Sequence, residues 1–430
     1  MKILFIKSLF LFLLVSNLWA LDIKNWQTPE GANVYFVKDK SLPMLDISLI
    51  FDAASSRDGN KYGIANLTND LIGRSSSRYS EEEIIDKLES LGAVMSGSSL
   101  KDMSMLSLRT LTKKKVLNQS LKLFSHLVHN PNFDKKIIKR LKKQRLVQIE
   151  AGKQNPSSIA SKEISSILFN SHPYAHPTIG TKETLINISR KDIIDFYKKY
   201  YVNNNLTIAL IGNISQAKAK QITKQISLGF DLGEKPKKLN DVIAVSSTFK
   251  HIKFPSQQSH YLLAHLGVKR TNPDYYALYL GNHILGGSGL NSLLSQEVRE
   301  KNGLSYNIES YFLPMKSKGY FLLNLQTKNS QFPLARELSK NVLQQFINTK
   351  PTQFKLKNAK DNLIGGFALR TSSNAKILTY LSLIGFYKLP LNYLDNFIEK
   401  IKDVSAEDIY QAYQKLFTKN PEFVEVVVGE

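Results

Sequence analysis

The 430-residue chain contains no cysteine. That excludes disulfides, a thiolate metal site and a lipid-modified cysteine at an export cut. Stability must rest on hydrophobic cores, which a chain of this length can build as two domains of about 200 residues each. Acidic residues are scarce, 36 against 58 Lys and Arg. No apolar run after residue 20 reaches the roughly 20 residues that a membrane-spanning helix needs, so no stable membrane insertion is expected of the mature chain. The basic balance comes without any nucleic-acid-binding signature, and nucleic acid is not expected as a partner.

What is present begins with an export signal. Lys2 and Lys7 precede the apolar run from Ser8 to Val15, and Ala20 closes the segment. A basic start, a short apolar middle and a small residue at the cut describe a signal peptide over residues 1–20, although Leu18 is larger than usual at its position. The expected location is the periplasm. Cleavage leaves 56 basic residues against 36 acidic ones. The densest run, from Lys135 to Arg145, carries apolar residues at helical spacing and reads as the solvated face of a helix.

An internal repeat organises the rest. ISRKDIIDFYKKYY at 188–201 leads through a polar turn into LTIALIG at 206–212. VSAEDIYQAYQKLF at 404–417 leads through a turn into FVEVVVG at 423–429. In each copy a serine (Ser189, Ser405) caps an amphipathic helix, and a β-rich strand ends in glycine. Further strands are expected at 44–51, 103–109, 259–266 and 320–326. The expected fold class is α+β: two homologous lobes, 21–230 and 248–430, joined by a polar linker at 231–247. Each lobe is an antiparallel β-sheet with helices packed mainly on one face.

Several strings, in order, resemble the pitrilysin/insulinase-type metallopeptidases, the inverzincins, and in particular their short processing-peptidase-like branch. They are GIANL at 63–67, Asn155-Pro156, HPYAHPTIGT at 172–181, Tyr200-Tyr201 with Asn204-Asn205, LGGSGLNSLL at 285–294 and VREKNGLSY at 298–306. The resemblance covers essentially the whole mature chain and implies that the two lobes form half of a clamshell. Active members carry H-x-x-E-H directly after the Gly-Ile-Ala segment: two histidines bind zinc and the glutamate is general base. Here those positions read Asn66-Leu67-Thr68-Asn69-Asp70. Counting back from Asn155-Pro156 puts the third ligand position at Gln148, or at Glu150 if the alignment slips by two. An amide is a poor zinc ligand and Asn69 cannot accept a proton near neutral pH. No metal, no cofactor and no catalytic residue are therefore expected on this chain. Among the histidines, His126 and His129 read as a helix face, and His172 and His176 as a structural loop.

The second half keeps what the resemblance associates with substrate contact, Arg299 and Tyr306, which in the family project into the chamber and hold the peptide backbone. The run Gly286, Gly287, Gly289 lacks the Lys-Ser/Thr ending of a phosphate loop and reads as a hinge-like turn entering a helix. The resulting expectation is a non-catalytic subunit. It would pair as a heterodimer with an active homologue that carries H-x-x-E-H and the zinc, and it would help bind a peptide substrate. A binding or scaffold protein with no role in proteolysis is the alternative, and an enzyme with metal on Asp70, Glu150 and an unforeseen histidine is a third reading.

Overall fold

The repeat is built as two copies of one sheet. A computed structural model describes residues 21–418 and 421–430; the expected signal peptide at 1–20 lies outside the described residues. The first half contributes β1 (Lys24–Gln27), β2 (Asn33–Lys38), β3 (Met44–Phe51), β4 (Val94–Ser99), β5 (Ser104–Leu111) and β6 (Leu206–Gly212). The second contributes β7 (Thr248–Lys253), β8 (Gln258–Leu266), β9 (Asn307–Leu313), β10 (Tyr320–Lys328) and β11 (Val424–Gly429). The helices that matter below are α1 (Ile64–Leu71), α2 (Lys135–Gly152), α3 (Pro156–Phe169), α4 (Arg190–Tyr200), α5 (Asn374–Tyr387) and α6 (Ala406–Leu416).

The sheet orders are β1-β2-β6-β3-β5-β4 and β7-β11-β8-β10-β9. Setting aside the extra edge strand β1, the two orders are the same. The shared caps agree: Ser189 with Asp192 opens α4 by a capping box, and Ser405 with Asp408 opens α6 in the same way. Each sheet is antiparallel except at one place, where β6 runs parallel to β2 and β11 parallel to β7. The last strand of each half returns only after a long helical excursion, so no hairpin dictates its direction. It inserts beside the first strand instead of at an edge.

That insertion governs the packing. All seven residues of β6 and all six of β11 are buried, so both sheet faces must be covered. Helices of the same half cover one face, as the apolar periodicity predicts. A helix from the other half covers the opposite face. In α5, Ile377, Leu381 and Ile384 pack with Val37, Ile50, Ala209 and Ile211 of the first sheet. In α3, Ala160, Ile164 and Leu168 pack with Leu262, Ala264, Val424 and Val426 of the second. The exchange is reciprocal. The one charge in β11, Glu425, is held by Tyr261 Oη at 2.6 Å, Arg336 Nε at 2.6 Å and Lys340 Nζ at 2.7 Å.

A polar seam adds to the apolar exchange. Asp52 of the first half receives both Arg57 Nε and Arg57 Nη2 at 2.6 Å and pairs with Lys316 of the second half. Asp102 accepts from the Lys316 backbone N–H at 2.7 Å and from Tyr387 Oη at 3.0 Å. Beside it, Lys101 donates to the carbonyls of Tyr174 and His176.

Burial lowers the Lys101 ammonium to about 8, whereas an unfolded lysine titrates near about 10.4. Between those values the unfolded chain binds more protons, so this residue makes stability rise with pH; below them the desolvation cost is present in full. Urea unfolding of Lys101→Met, compared with the native chain, should lose a rise on the order of 2 kcal/mol between about pH 8 and pH 10. Superimposable pH profiles for the two proteins would rule this account out.

Candidate functional site

The helix α1 has eight residues, too short to stand without outside support. Its apolar stripe, Ile64, Leu67 and Leu71, is buried in the first core. Its N-terminus is supported from a distance. Gly63, at φ +93°, sits where a Cβ would lie 2.6 Å from the Ile179 carbonyl oxygen, so no side chain fits and none caps the helix from that position. The carboxylate of Asp58 caps it instead, accepting from the backbone N–H of Gly63 at 2.7 Å and of Ala65 at 2.9 Å. His176 Nε2 lies 3.0 Å from the same carboxylate, and Tyr62 stacks on the His176 ring at 4.1 Å. The loop histidines are therefore structural: His176 braces the cap, and His172 Nε2 meets the Asn240 carbonyl at 3.1 Å.

On the other side of α1, the three replaced motif positions part company. Asn69 turns inward; its Oδ1 accepts from Tyr201 Oη at 3.0 Å and its Nδ2 donates to the Met105 carbonyl at 3.3 Å. Asn66 and Asp70 face α2, where they meet Arg145. Arg145 Nη2 donates to Asn66 Oδ1 at 2.6 Å and to the Asn66 carbonyl at 3.2 Å, and it pairs with the Asp70 carboxylate. The Arg145 side chain is 6% exposed and that of Asp70 39%. Arg145 Nη1 is buried without a hydrogen-bond partner among the described residues. Burial pulls the guanidinium below its ordinary value, and Asp70 pushes back.

This corrects two expectations. Gln148 and Glu150 are exposed, and Glu150 pairs with Lys153 at 2.9 Å; neither reaches Asn66 or Asp70. The run from Lys135 to Arg145 is not a solvated face throughout, because Arg145 continues the buried stripe of Ile138 and Leu141. Counting from Asn155-Pro156 locates a position along α2 but not the face it presents. The missed signal was a cation at the third place of an apolar i, i+3, i+7 stripe.

The donor set does not fit zinc. Zinc sites use imidazole, thiolate or carboxylate in near-tetrahedral array. Here there are two amides and one carboxylate, and that carboxylate already carries a buried guanidinium. A dication beside it would be repelled by the cation already in place. Elsewhere, His126 Nε2 meets Ser76 Oγ at 3.0 Å, and His129 Nε2 meets the Ile226 carbonyl at 2.8 Å. Burial lowers His129 to about 4.

Arg299 and Tyr306 lie in the second half, beside β9. Arg299 sits in the wide helical turn Ser295–Lys301, its Nε 3.3 Å from Glu300 Oε1, and is 40% exposed. Tyr306, just before β9, is 84% exposed. Among the described residues no hydrogen bond joins either one to Asn66, Asn69 or Asp70. In the preceding glycine run, Gly286 makes a close contact, since a Cβ there would lie 2.3 Å from Ser310 Oγ and 2.6 Å from the Ser310 nitrogen on β9, whereas Gly289, at φ +59°, turns in open space. Both β4 and β9 pair on one side only. In β4, Ser96, Gly97 and Ser98 are exposed and Val94 is 61% exposed. A cavity of about 420 Å³ lies between this strand and α5, lined by Ser96, Ser98, Met105, Arg109, Leu378 and Thr379.

Residues 34–182 match the family described as Insulinase (Peptidase family M16), and residues 187–363 match the Peptidase M16 inactive domain. A crystal structure described as the peptidase M16 inactive domain from Pseudomonas fluorescens is 37% identical and superposes with a TM-score of 0.92, covering 95% of this chain and 98% of that one. A Bacillus subtilis protein named uncharacterized zinc protease YmxG is 23% identical over 93% of this chain and 96% of its own length. A Helicobacter pylori protein named non-peptidase homolog YmxG is 24% identical over 87% of each.

The cap on α1 is directly testable. Asp58→Ala removes the acceptor of two backbone N–H groups and one imidazole, and should destabilise the protein by about 3 kcal/mol in denaturant unfolding. A loss below about 0.5 kcal/mol, the usual range for surface changes, would show that the helix end is held by something else.

Proposed function

The chain belongs to the insulinase (M16) peptidase family as a peptidase-derived member without the hydrolytic site, and from that premise we propose that it is the non-catalytic subunit of a periplasmic zinc-dependent peptidase. Its partner is a homologue with an intact H-x-x-E-H, which brings the zinc and the general base. The two clamshell halves enclose a peptide chamber, and this half supplies Arg299 and Tyr306 as substrate-binding groups. Export by the segment at 1–20 is part of the same proposal.

One observation carries the reading: Tyr306 is 84% exposed beside an unpaired strand edge, where packing alone gives a tyrosine no reason to stand. A phenol and a guanidinium can both donate to peptide carbonyls or to a developing oxyanion. An extended peptide can add to a free strand edge by main-chain hydrogen bonds while such side chains hold its carbonyls. The positive charge of the chain favours acidic peptides. Asn66, Asn69 and Asp70 take no chemical step, and neither does Gln148.

The test is reconstitution with a family partner that carries H-x-x-E-H and a quenched peptide substrate. The chain alone should give no chelator-sensitive hydrolysis. In the heterodimer, Arg299→Ala or Tyr306→Phe should lower kcat/KM by about 10²-fold with the dimer intact by size-exclusion chromatography. Unchanged kcat/KM in an intact dimer removes the assigned role, and a stable complex that never affects cleavage selects the scaffold reading instead.

A further inference from the structure

The site that lost its histidines did not become an empty surface. Asn66 and Asp70, one turn apart on α1, both direct side-chain oxygens at a single nitrogen, Arg145 Nη2, which also takes the Asn66 carbonyl. That nitrogen comes from α2, the helix on which the resemblance places the third metal ligand. Three contacts therefore converge from α1 on one cationic centre supplied by α2.

An ordinary surface ion pair does not look like this. The Arg145 side chain is 6% exposed, and its neighbours in the buried stripe are Ile138 and Leu141. A guanidinium is costly to bury, and here the cost is compounded because Nη1 finds no acceptor among the described residues. A residue kept in so unfavourable a place needs a partner that fixes it, and among the described residues the anion paired with it is Asp70. The pairing is also directional: Nη2 serves α1 while the aliphatic stem fills the stripe of α2.

We propose that Arg145 is a resident cation that stands in for zinc, tying α1 to α2 as a metal would and making the site refractory to metal. The tie matters because α1 has only eight residues. Asp58 secures its start and Tyr201 its inner side through Asn69; Arg145 secures its outer side. The same cation blocks reversion. Histidines restored at positions 66 and 70 would face a guanidinium that can neither accept a proton nor leave, and a dication entering there would meet like charge. This inference concerns the chain alone and does not depend on any partner.

The test compares two variants. Asn66→His, Asn69→Glu and Asp70→His together, with Arg145 kept, should bind less than about a tenth of an equivalent of zinc, as read by metal analysis and calorimetry. Adding Arg145→Glu should tighten zinc binding by at least about 100-fold. Equal affinities in the two proteins, whether both tight or both absent, overturn the proposal. Circular dichroism establishes that each variant is folded. In the otherwise native chain, Arg145→Met should lower Tm by about 5 °C, and Arg145→Lys, which keeps the charge, should recover at least half of that loss. An Arg145→Met protein as stable as the native one overturns the tie even if the reverted variants do not fold.

Discussion

The constraint on which the molecule depends is the two-sided burial of β6 and β11. Each is the last strand of its half, each inserts between two earlier strands, and each is buried along its whole length, Thr207 and Glu425 being the polar residues. A strand buried on both faces needs two layers of helix. One half alone supplies one layer. The second comes by exchange, α5 onto the first sheet and α3 onto the second. The lobes are thus not two beads on a linker, and their seam of Asp52, Asp102 and Lys316 sits over an apolar interface that neither half could give up without exposing its central strand.

Within that frame, α1 is a short element held from outside. Its own sequence provides an apolar stripe and little else. Asp58, from the preceding loop, satisfies its first N–H groups; Tyr201, from the end of α4, takes Asn69; and Arg145, from α2, takes Asn66 and Asp70. The site kept its architecture while its chemistry changed. A position that must hold an α1–α2 contact tolerates exchange of a metal for a guanidinium, because both are cations that organise oxygen and nitrogen donors around one point. Removing the Arg145 guanidinium would leave the partly exposed Asp70 carboxylate without its ion-pair partner.

The functional consequence follows from what was kept exposed. Edge strands are usually blunted by charge or proline. Here β4 presents serine and glycine to solvent, and β9 is flanked by the partly exposed Arg299 and by Tyr306, which stands out in solvent. Free edges with hydrogen-bonding side chains suit an extended peptide. Asn69 supplies no general base, so on the proposed reading this half holds the peptide and the partner cuts it.

By itself the sequence determined the duplication, the central strands and repeated helices of both halves, the capping serines Ser189 and Ser405, and the loss of the imidazoles and the base. Apart from the duplication, which shows when two distant segments are compared, each of these is local, set by periodicity, caps and residue chemistry over a dozen residues. Only the tertiary structure decided the rest. The parallel pairs β2–β6 and β7–β11 and the exchanged helices α3 and α5 join segments more than a hundred residues apart, and no short-range pattern encodes which face such a segment will cover. That Gly286 meets Ser310 of β9 was likewise invisible until the two were packed together. Arg145 was hidden in a basic run whose other members are solvated: charge type is visible in a sequence, but the burial that turns a charge into a structural centre depends on what packs against it.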